Sequence, residues 1–241
     1  MPTCKLCHTE QALCNSHIIP EFLWADLYDE NHKLIGVTGQ GRNGWTKLQK
    51  GIREKLFCED CEQYFNEHFE KPFRSLWIER CPLLSPWEKE EILWINVDYS
   101  SFKLFHLSVL YRAHVSTLPT FAQVELGPHA EKIRAMLLSR DAGPAHCYPI
   151  FGYAVINHKT NLPVQMISYA QASRFDDLRC YGIMYGGVEW WMGVASHKNN
   201  NFNKLCLEAN GKMPIAPIPW NEIGSVLDTR NALQKKGSEP L

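Results

Sequence analysis

Four cysteines in two pairs offer the clearest chemistry in this sequence. Cys4 and Cys7 are separated by two residues, and Cys58 and Cys61 repeat that spacing further along the chain. Thiolates are soft ligands, and four of them complete the tetrahedron of a structural zinc site. The chain has nine cysteines, an odd number, so two pairs at this spacing favour metal binding over disulfides. We therefore expect one structural Zn²⁺ held by these four residues.

His17 lies between the two cysteine pairs, in the stretch NSHIIPEF. A titratable imidazole in apolar surroundings can act as a general base near neutral pH. The same residue could equally be a core donor or a zinc ligand. His8 and Cys14 are alternate zinc ligands, and a Cys14–His17 ligand pair is the arrangement that would remove His17 from catalysis.

Charge is distributed unevenly around the second cysteine pair. Residues 42–55 carry five basic residues and one acid, which favours contact with a phosphate backbone; Lys50, Arg53 and Lys55 are the candidates. Residues 59–70 carry five acids and neither lysine nor arginine, which predicts either a cation site or a solvent-facing helix. The formal net charge of the whole chain is -1, so any nucleic-acid surface must be local.

The composition bounds the class of protein. The chain has 241 residues, of which 45% are hydrophobic, enough for a packed core. No apolar run approaches the roughly 20 residues of a membrane helix, and the start MPTCKLCHTE lacks the apolar segment of a signal peptide. We expect a soluble, cytoplasmic protein without a membrane partner.

The residue pattern predicts an α+β fold in two domains, residues 1–80 and 81–241, with the boundary in the proline-containing stretch RCPLLSPWEKEE. In the first domain we expect a short helix after Pro20, a hairpin or glycine-rich loop over 33–51, and a strand-like KLFC leading into a helix near Glu59. That helix should be disturbed at Pro72.

The second domain is predicted to be helical and then an antiparallel sheet. WEKEEILWIN is compatible with a helix, residues 100–118 read as a buried helix, and GPHAEKIRAMLLSR reads as an amphipathic helix. Three or four strands follow within 148–196, and a helix over 218–236 closes the fold. Arg112 and His114, near the end of the buried helix, could be functional, although residues in such positions more often cap carbonyls or face water. Trp190 and Trp191 should lie on opposite faces of a strand, one in the core and one at the surface.

The order C-x2-C, SHIIP, LFCEDCE resembles the HNH, or His-Me finger, endonucleases that carry a zinc-binding cysteine quartet, over about residues 4–70. In that family a strand bearing a histidine, a second strand and a helix form the nuclease unit. A cysteine knuckle combined with a pair at a helix start is the treble-clef pattern. The resemblance implies a small zinc-binding treble-clef or ββα-metal domain that cleaves DNA or RNA. Similar bacterial nucleases often serve antiphage defence.

Carried over residue by residue, the resemblance makes His17 the base that accepts a proton from the attacking water. Glu62 follows the second cysteine pair directly, where the family's helix places a metal-binding histidine, and Asn66 lies one turn further on. A carboxylate and an amide oxygen are hard ligands suited to Mg²⁺. Arg53 or Lys55 would hold the phosphate.

The sequence also departs from the family pattern. Ser16 occupies the position of an acidic or histidine metal ligand, and no asparagine precedes KLFC. These departures favour a second hypothesis, a non-catalytic treble-clef module that binds nucleic acid or a protein partner. A third is a catalytic zinc enzyme that uses Cys14 or His17 as a ligand. Residues 81–241 carry no motif, and we expect them to recognise a target or partner or to form a homo-oligomer.

Overall fold

The computed structural model describes residues 1–37, 45–48, 50–79, 92–175, 177–196 and 205–223. They form a mixed α+β structure with a helical region and a multi-stranded sheet. Among these residues, no helix combines the length and the apolar character that crossing a membrane would require.

Two short antiparallel strand pairs form the N-terminal part. β1 (Asn15–His17) pairs with β4 (Arg53–Lys55), and β2 (Leu34–Val37) pairs with β3 (Trp45–Leu48). The hairpin predicted over 33–51 is therefore confirmed, although its turn lies outside the described residues. The helix expected after Pro20 is instead two 3₁₀ turns, Glu21–Leu23 and Ala25–Leu27. The buried Trp24 indole donates to the Ile19 carbonyl at 2.9 Å, which fixes this tight path.

A long helical segment follows the second cysteine pair and begins at Glu59, as predicted. It consists of α1 (Glu59–Phe65), a π-helical turn (Asn66–Glu70), α2 (Lys71–Arg74) and a second π-helical turn (Ser75–Glu79). Pro72 lacks the N–H that a regular helix uses, and π turns occur on both sides of it. The buried aromatic residues recur at every fourth position: Phe65, Phe69, Phe73 and Trp77.

The two helices predicted in the second half are both present. α3 (Tyr99–Val115) is buried continuously from Phe102 to Ala113, because other elements cover it on more than one face. Asp98 caps its start by accepting the Ser101 N–H at 2.8 Å. α4 (His129–Ser139) ends at Arg140, whose backbone adopts the left-handed conformation.

A seven-stranded sheet packs beside these helices, in the order β5-β11-β6-β10-β9-β8, with β7 paired to β6. Its strands are β5 (Leu93–Asn96), β6 (Ile150–Asn157), β7 (Leu162–Pro163), β8 (Gln171–Phe175), β9 (Leu178–Tyr185), β10 (Val188–Gly193) and β11 (Lys212–Pro219). Every neighbouring pair is antiparallel except β11 and β6, which run parallel. The sheet is therefore mixed, whereas the prediction was antiparallel.

Three local predictions in this half were wrong. The end of WEKEEILWIN is strand β5, in which Ile95 is buried and Trp94 is 51% exposed, the alternation of a half-buried strand. The stretch 163–171 is mostly irregular, because Ser168 binds the backbone of β9 at Met184 instead of extending a strand. Residues 218–222 complete β11 and a 3₁₀ turn rather than beginning a helix. Residues 197–204 and 224–236 lie outside the described residues.

One hydrophobic core joins the N-terminal part to α3, α4 and the sheet. Phe73 on α2 stacks on Phe105 of α3 with ring centroids 3.7 Å apart. Trp77 contacts Trp190 of β10 at 5.2 Å, and Trp190 and Trp191 are both buried, so neither is the surface residue we expected. The predicted boundary at 80–91 lies outside the described residues, and the division into domains remains a prediction.

Candidate functional site

The four paired cysteines converge at the N-terminal end of the molecule. Their sulfur atoms all lie within 4.8 Å of one another, and in the described part of the chain they form one cluster: Cys4, Cys7, Cys58 and Cys61. The sulfurs of Cys7 and Cys58 are 3.8 Å apart. In a tetrahedral site with zinc–sulfur bonds of about 2.3 Å, neighbouring sulfurs are about 3.8 Å apart. These four thiols could therefore bind a metal ion such as zinc.

Local backbone geometry brings the two pairs together. The first pair flanks a tight turn, in which the His8 N–H donates to the Cys4 carbonyl at 3.0 Å and His8 adopts a φ of 61°. The second pair opens α1, where Cys58 occupies the N-cap position. The Cys58 N–H points at the Cys4 sulfur at 3.4 Å, which joins the two pairs directly.

The second half of the chain supports this turn. Tyr111 on α3 donates its hydroxyl to the Lys5 carbonyl at 2.5 Å. Arg134 on α4 donates to the Leu6 carbonyl at 2.8 Å. The two residues between Cys4 and Cys7 are therefore held by helices from far along the chain, which the spacing of the cysteines does not reveal.

Burial makes the thiols costly to ionise in the absence of a cation. It raises the pKa of Cys58 and the pKa of Cys61. Burial also raises the pKa of Cys7, but hydrogen bonds from Thr9 and from neighbouring thiols outweigh it and bring that pKa to about 6. A bound cation would supply the positive charge that converging thiolates need, so the donor set fits zinc.

The alternate ligands lie outside this cluster. Cys14 is half-buried, and burial raises the pKa of its thiol. His8 is exposed and ends the knuckle turn, and His17 faces other groups. None of the eight cysteines in the described ranges forms a disulfide.

His17 lies at the end of β1, directly across from Arg53 of β4 in the strand register. Its Nε2 is 2.5 Å from Oε2 of Glu21, and the two side chains are 22% and 44% exposed. This contact is an ion pair when the imidazole is protonated. Burial lowers the pKa of His17 below 6.5. The charges of Glu21 and Glu70 raise this pKa, whereas those of Arg53 and Arg112 lower it further. The imidazole is therefore neutral near pH 7, the form that a general base needs.

Glu62 and Asn66, the two predicted magnesium ligands, have different surroundings. Glu62 is half-buried, and burial raises its pKa while Arg112 and a hydrogen bond with Ser16 lower it. Ser16 is 1% exposed and also accepts the Phe57 N–H at 3.3 Å. Ser16 therefore links β1 to the start of α1, at the position where the HNH pattern has a metal ligand. Asn66 is exposed at the first residue of the π turn.

Arg112 and Glu70 complete the surroundings of His17, and sequence reasoning did not place them there. Arg112 on α3 is 1% exposed and binds Oε1 of Glu70 through Nη2 at 2.6 Å. Its Nη1 points at the His17 carbonyl at 3.4 Å, and its guanidinium lies 4.3 Å from the Phe65 ring centroid. Of the alternatives that the sequence leaves open for Arg112, exposure to water was wrong, because α3 is buried on that side; the carbonyl contact is present, and a functional role stays a prediction.

Unpartnered polar atoms concentrate at this place. Within the described ranges, six buried side-chain nitrogen or oxygen atoms lack a hydrogen-bond partner. Four of them belong to the His17 surroundings: His17 Nε2 and Glu21 Oε2, which face each other at 2.5 Å, and Glu62 Oε1 and Arg112 Nε. The other two, on His106 and Trp190, lie in the aromatic core. Such atoms are uncommon in folded proteins, and an ordered water, an ion or a ligand is a common partner for them.

The predicted phosphate-binding residues are arranged along one short stretch. Arg53 is half-buried beside His17, while Lys50 and Lys55 are exposed. Lys55 pairs with Asn15 in the strand register. Of the three, Arg53 is therefore the one that lies beside His17.

Comparisons of the chain with protein-family models, with curated proteins and with solved structures gave no match.

Proposed function

We propose that the N-terminal part is a zinc-stabilised treble-clef unit. The 3.8 Å separation of the Cys7 and Cys58 sulfurs carries this proposal, because it equals the edge of a zinc–thiolate tetrahedron. The arrangement of one cysteine pair on a knuckle and one at the start of α1 also supports it. Elemental analysis of the purified protein should give one zinc per chain.

We further propose that this unit is an HNH-like nuclease centre acting on DNA or RNA. The support is the order of a histidine-bearing strand β1, an antiparallel strand β4 and helix α1, with His17 across from Arg53. In this mechanism the neutral His17 imidazole removes a proton from a water that attacks the phosphorus in line. Arg53 binds the non-bridging oxygens and neutralises the charge that develops on them.

Glu62 is the residue on α1 that would hold a divalent cation beside the phosphate. Its half-buried carboxylate has one oxygen without a partner, which is the donor chemistry that Mg²⁺ prefers. When bound, the ion would stabilise the leaving 3′ oxygen. Asn66 stays a proposed second ligand. The proposal places the chain in the cytoplasm, where its substrate is found and where free thiols persist.

The experiment compares His17→Ala with the wild-type protein on plasmid, single-stranded DNA and RNA in Mg²⁺. We expect His17→Ala to lose cleavage by at least about a hundredfold, since a general base contributes that much, with zinc content and thermal stability unchanged. His32→Asn is a matched control, because His32 is exposed and asparagine tolerates its left-handed φ of 55°. Cleavage that persists in His17→Ala would remove the catalytic assignment.

A non-catalytic treble-clef module is the second candidate. The observation that favours it is the internal pairing of the charged groups, because Glu21 faces His17 and Glu70 already pairs with Arg112. Such a module would bind nucleic acid or a protein partner without cleaving it. Binding to labelled DNA or RNA that depends on Arg53 but not on His17, without cleavage in Mg²⁺ or Mn²⁺, would establish this alternative.

A further inference from the structure

α3 delivers a positive charge to the strand end that carries His17. Arg112 is almost fully buried, so its guanidinium cannot exchange its partners for solvent. One arm binds Glu70, and the other points at the carbonyl of His17 itself. The flat face rests on Phe65, which restricts rotation of the guanidinium.

This contact joins three segments that are far apart in the sequence. β1 contributes the His17 carbonyl, the first π turn contributes Glu70, and α3 contributes Arg112. The planar fork of an arginine can hold two acceptors at a fixed angle, which a lysine cannot do. Movement of β1 relative to the long helical segment would therefore break one of these contacts.

We propose that Arg112 is a positioning residue for His17, which fixes the end of β1 and balances the carboxylates that surround the imidazole. The inference rests on the proposed nuclease function of His17. It also means that α3, although it lies outside residues 1–80, is part of the site. The charged groups facing His17 are Glu21 on the first 3₁₀ turn, Arg53 on β4, Glu70 on the π turn and Arg112 on α3.

The test measures the His17 imidazole directly by NMR titration of the zinc-loaded protein. Arg112→Met removes a positive charge and should raise the pKa of His17, whereas Glu70→Gln removes a negative charge and should lower it. The double variant should return it towards the wild-type value. A purely structural role would not give shifts of opposite sign. Arg179→Met is the matched control, because Arg179 is exposed on β9, and it should leave the titration unchanged.

Cleavage provides the second readout. Arg112→Lys keeps the positive charge but loses the planar fork. It should therefore keep the pKa of His17 close to the wild-type value and still lose cleavage by about tenfold. Arg112→Met should lose more. If Arg112→Met does not fold, Arg112→Lys and Glu70→Gln carry the test.

The outcomes separate this inference from the nuclease proposal. If the wild-type protein does not cleave but the opposite titration shifts occur, the nuclease proposal fails and the positioning role of Arg112 stands. If the protein cleaves and the variants of Arg112 and Glu70 match the Arg179→Met control in titration and rate, the positioning role is overturned.

Discussion

Replacement of a single cysteine tests whether the quartet binds a structural ion. Cys7→Ser removes one sulfur from the cluster, and Cys14→Ser removes a thiol outside it. Both residues are half-buried, so the two substitutions remove similar packing and differ chiefly in metal binding. We expect Cys7→Ser to lose zinc and stability, and Cys14→Ser to retain both.

The size of the effect follows from linkage between binding and folding. An ion that binds only the folded protein adds about 2.7 kcal/mol when its free concentration is a hundred times the dissociation constant. For a chain of 241 residues, about 1 kcal/mol corresponds to roughly 2–4 °C in the melting temperature. A variant that no longer binds zinc at that concentration should therefore melt about 5–10 °C below the wild-type protein.

The assay is thermal unfolding in a zinc buffer of fixed free concentration, with zinc measured in the same samples. Raising the free zinc tenfold should raise the melting temperature of the wild-type protein and of Cys14→Ser by about 3–6 °C. Cys7→Ser should not respond over that range. Equal zinc content and equal melting temperatures for the two variants would refute the inference from the sulfur geometry.

Three further predictions concern charges near the site and the packing of the sheet. Arg112→Met, Glu70→Gln and their double variant should give a coupling of about 0.5–3 kcal/mol in denaturant unfolding, because Arg112 is buried, Glu70 is half-buried and the two lie 2.6 Å apart. Burial raises the pKa of Glu54, but hydrogen bonds from the carboxyl end of α3 outweigh it and lower that pKa below 4.5. The ionised Glu54 carboxylate therefore stabilises the folded protein fully above pH 4.5, and this contribution is lost as the pH falls through the pKa that Glu54 has in the folded protein. Glu54→Gln should reduce this loss of stability at acidic pH. Gly182→Ala would place a Cβ 2.7 Å from the ring of Trp191 and should cost roughly 1–3 kcal/mol in the free energy of unfolding.

The parts of the fold that depend on local pattern were predictable. The hairpin over 33–51, the helix start at Glu59 and the buried helix over 100–118 all appear in the structure. Each of them is specified by residues close together in the chain, through periodicity, caps or turn residues. The cysteine pairs were predictable for the same reason, since metal ligands repeat at short spacings.

The parts that depend on distant partners were not predictable. β11 contains prolines at 214, 217 and 219, which remove backbone donors and argue against a strand between two others. It nevertheless pairs with β5 and β6. Glu21 and Glu70 resembled ordinary solvated acids, because nothing in their local sequence shows that β1, the π turn and α3 meet.

The same long-range packing explains why the unpartnered atoms are informative about function. Burying a polar atom without a partner costs on the order of 1–3 kcal/mol, and folded chains place few such atoms in one region. Of the six in the described residues, Glu62 Oε1 and Arg112 Nε lie in the His17 surroundings, and His17 Nε2 and Glu21 Oε2 face each other at 2.5 Å. Buried polar atoms without hydrogen-bond partners are expected mainly at functional or strained sites. A water or a cation beside Glu62 would supply the missing partner of its Oε1, which is the ligand chemistry that the proposed nuclease centre needs at β1.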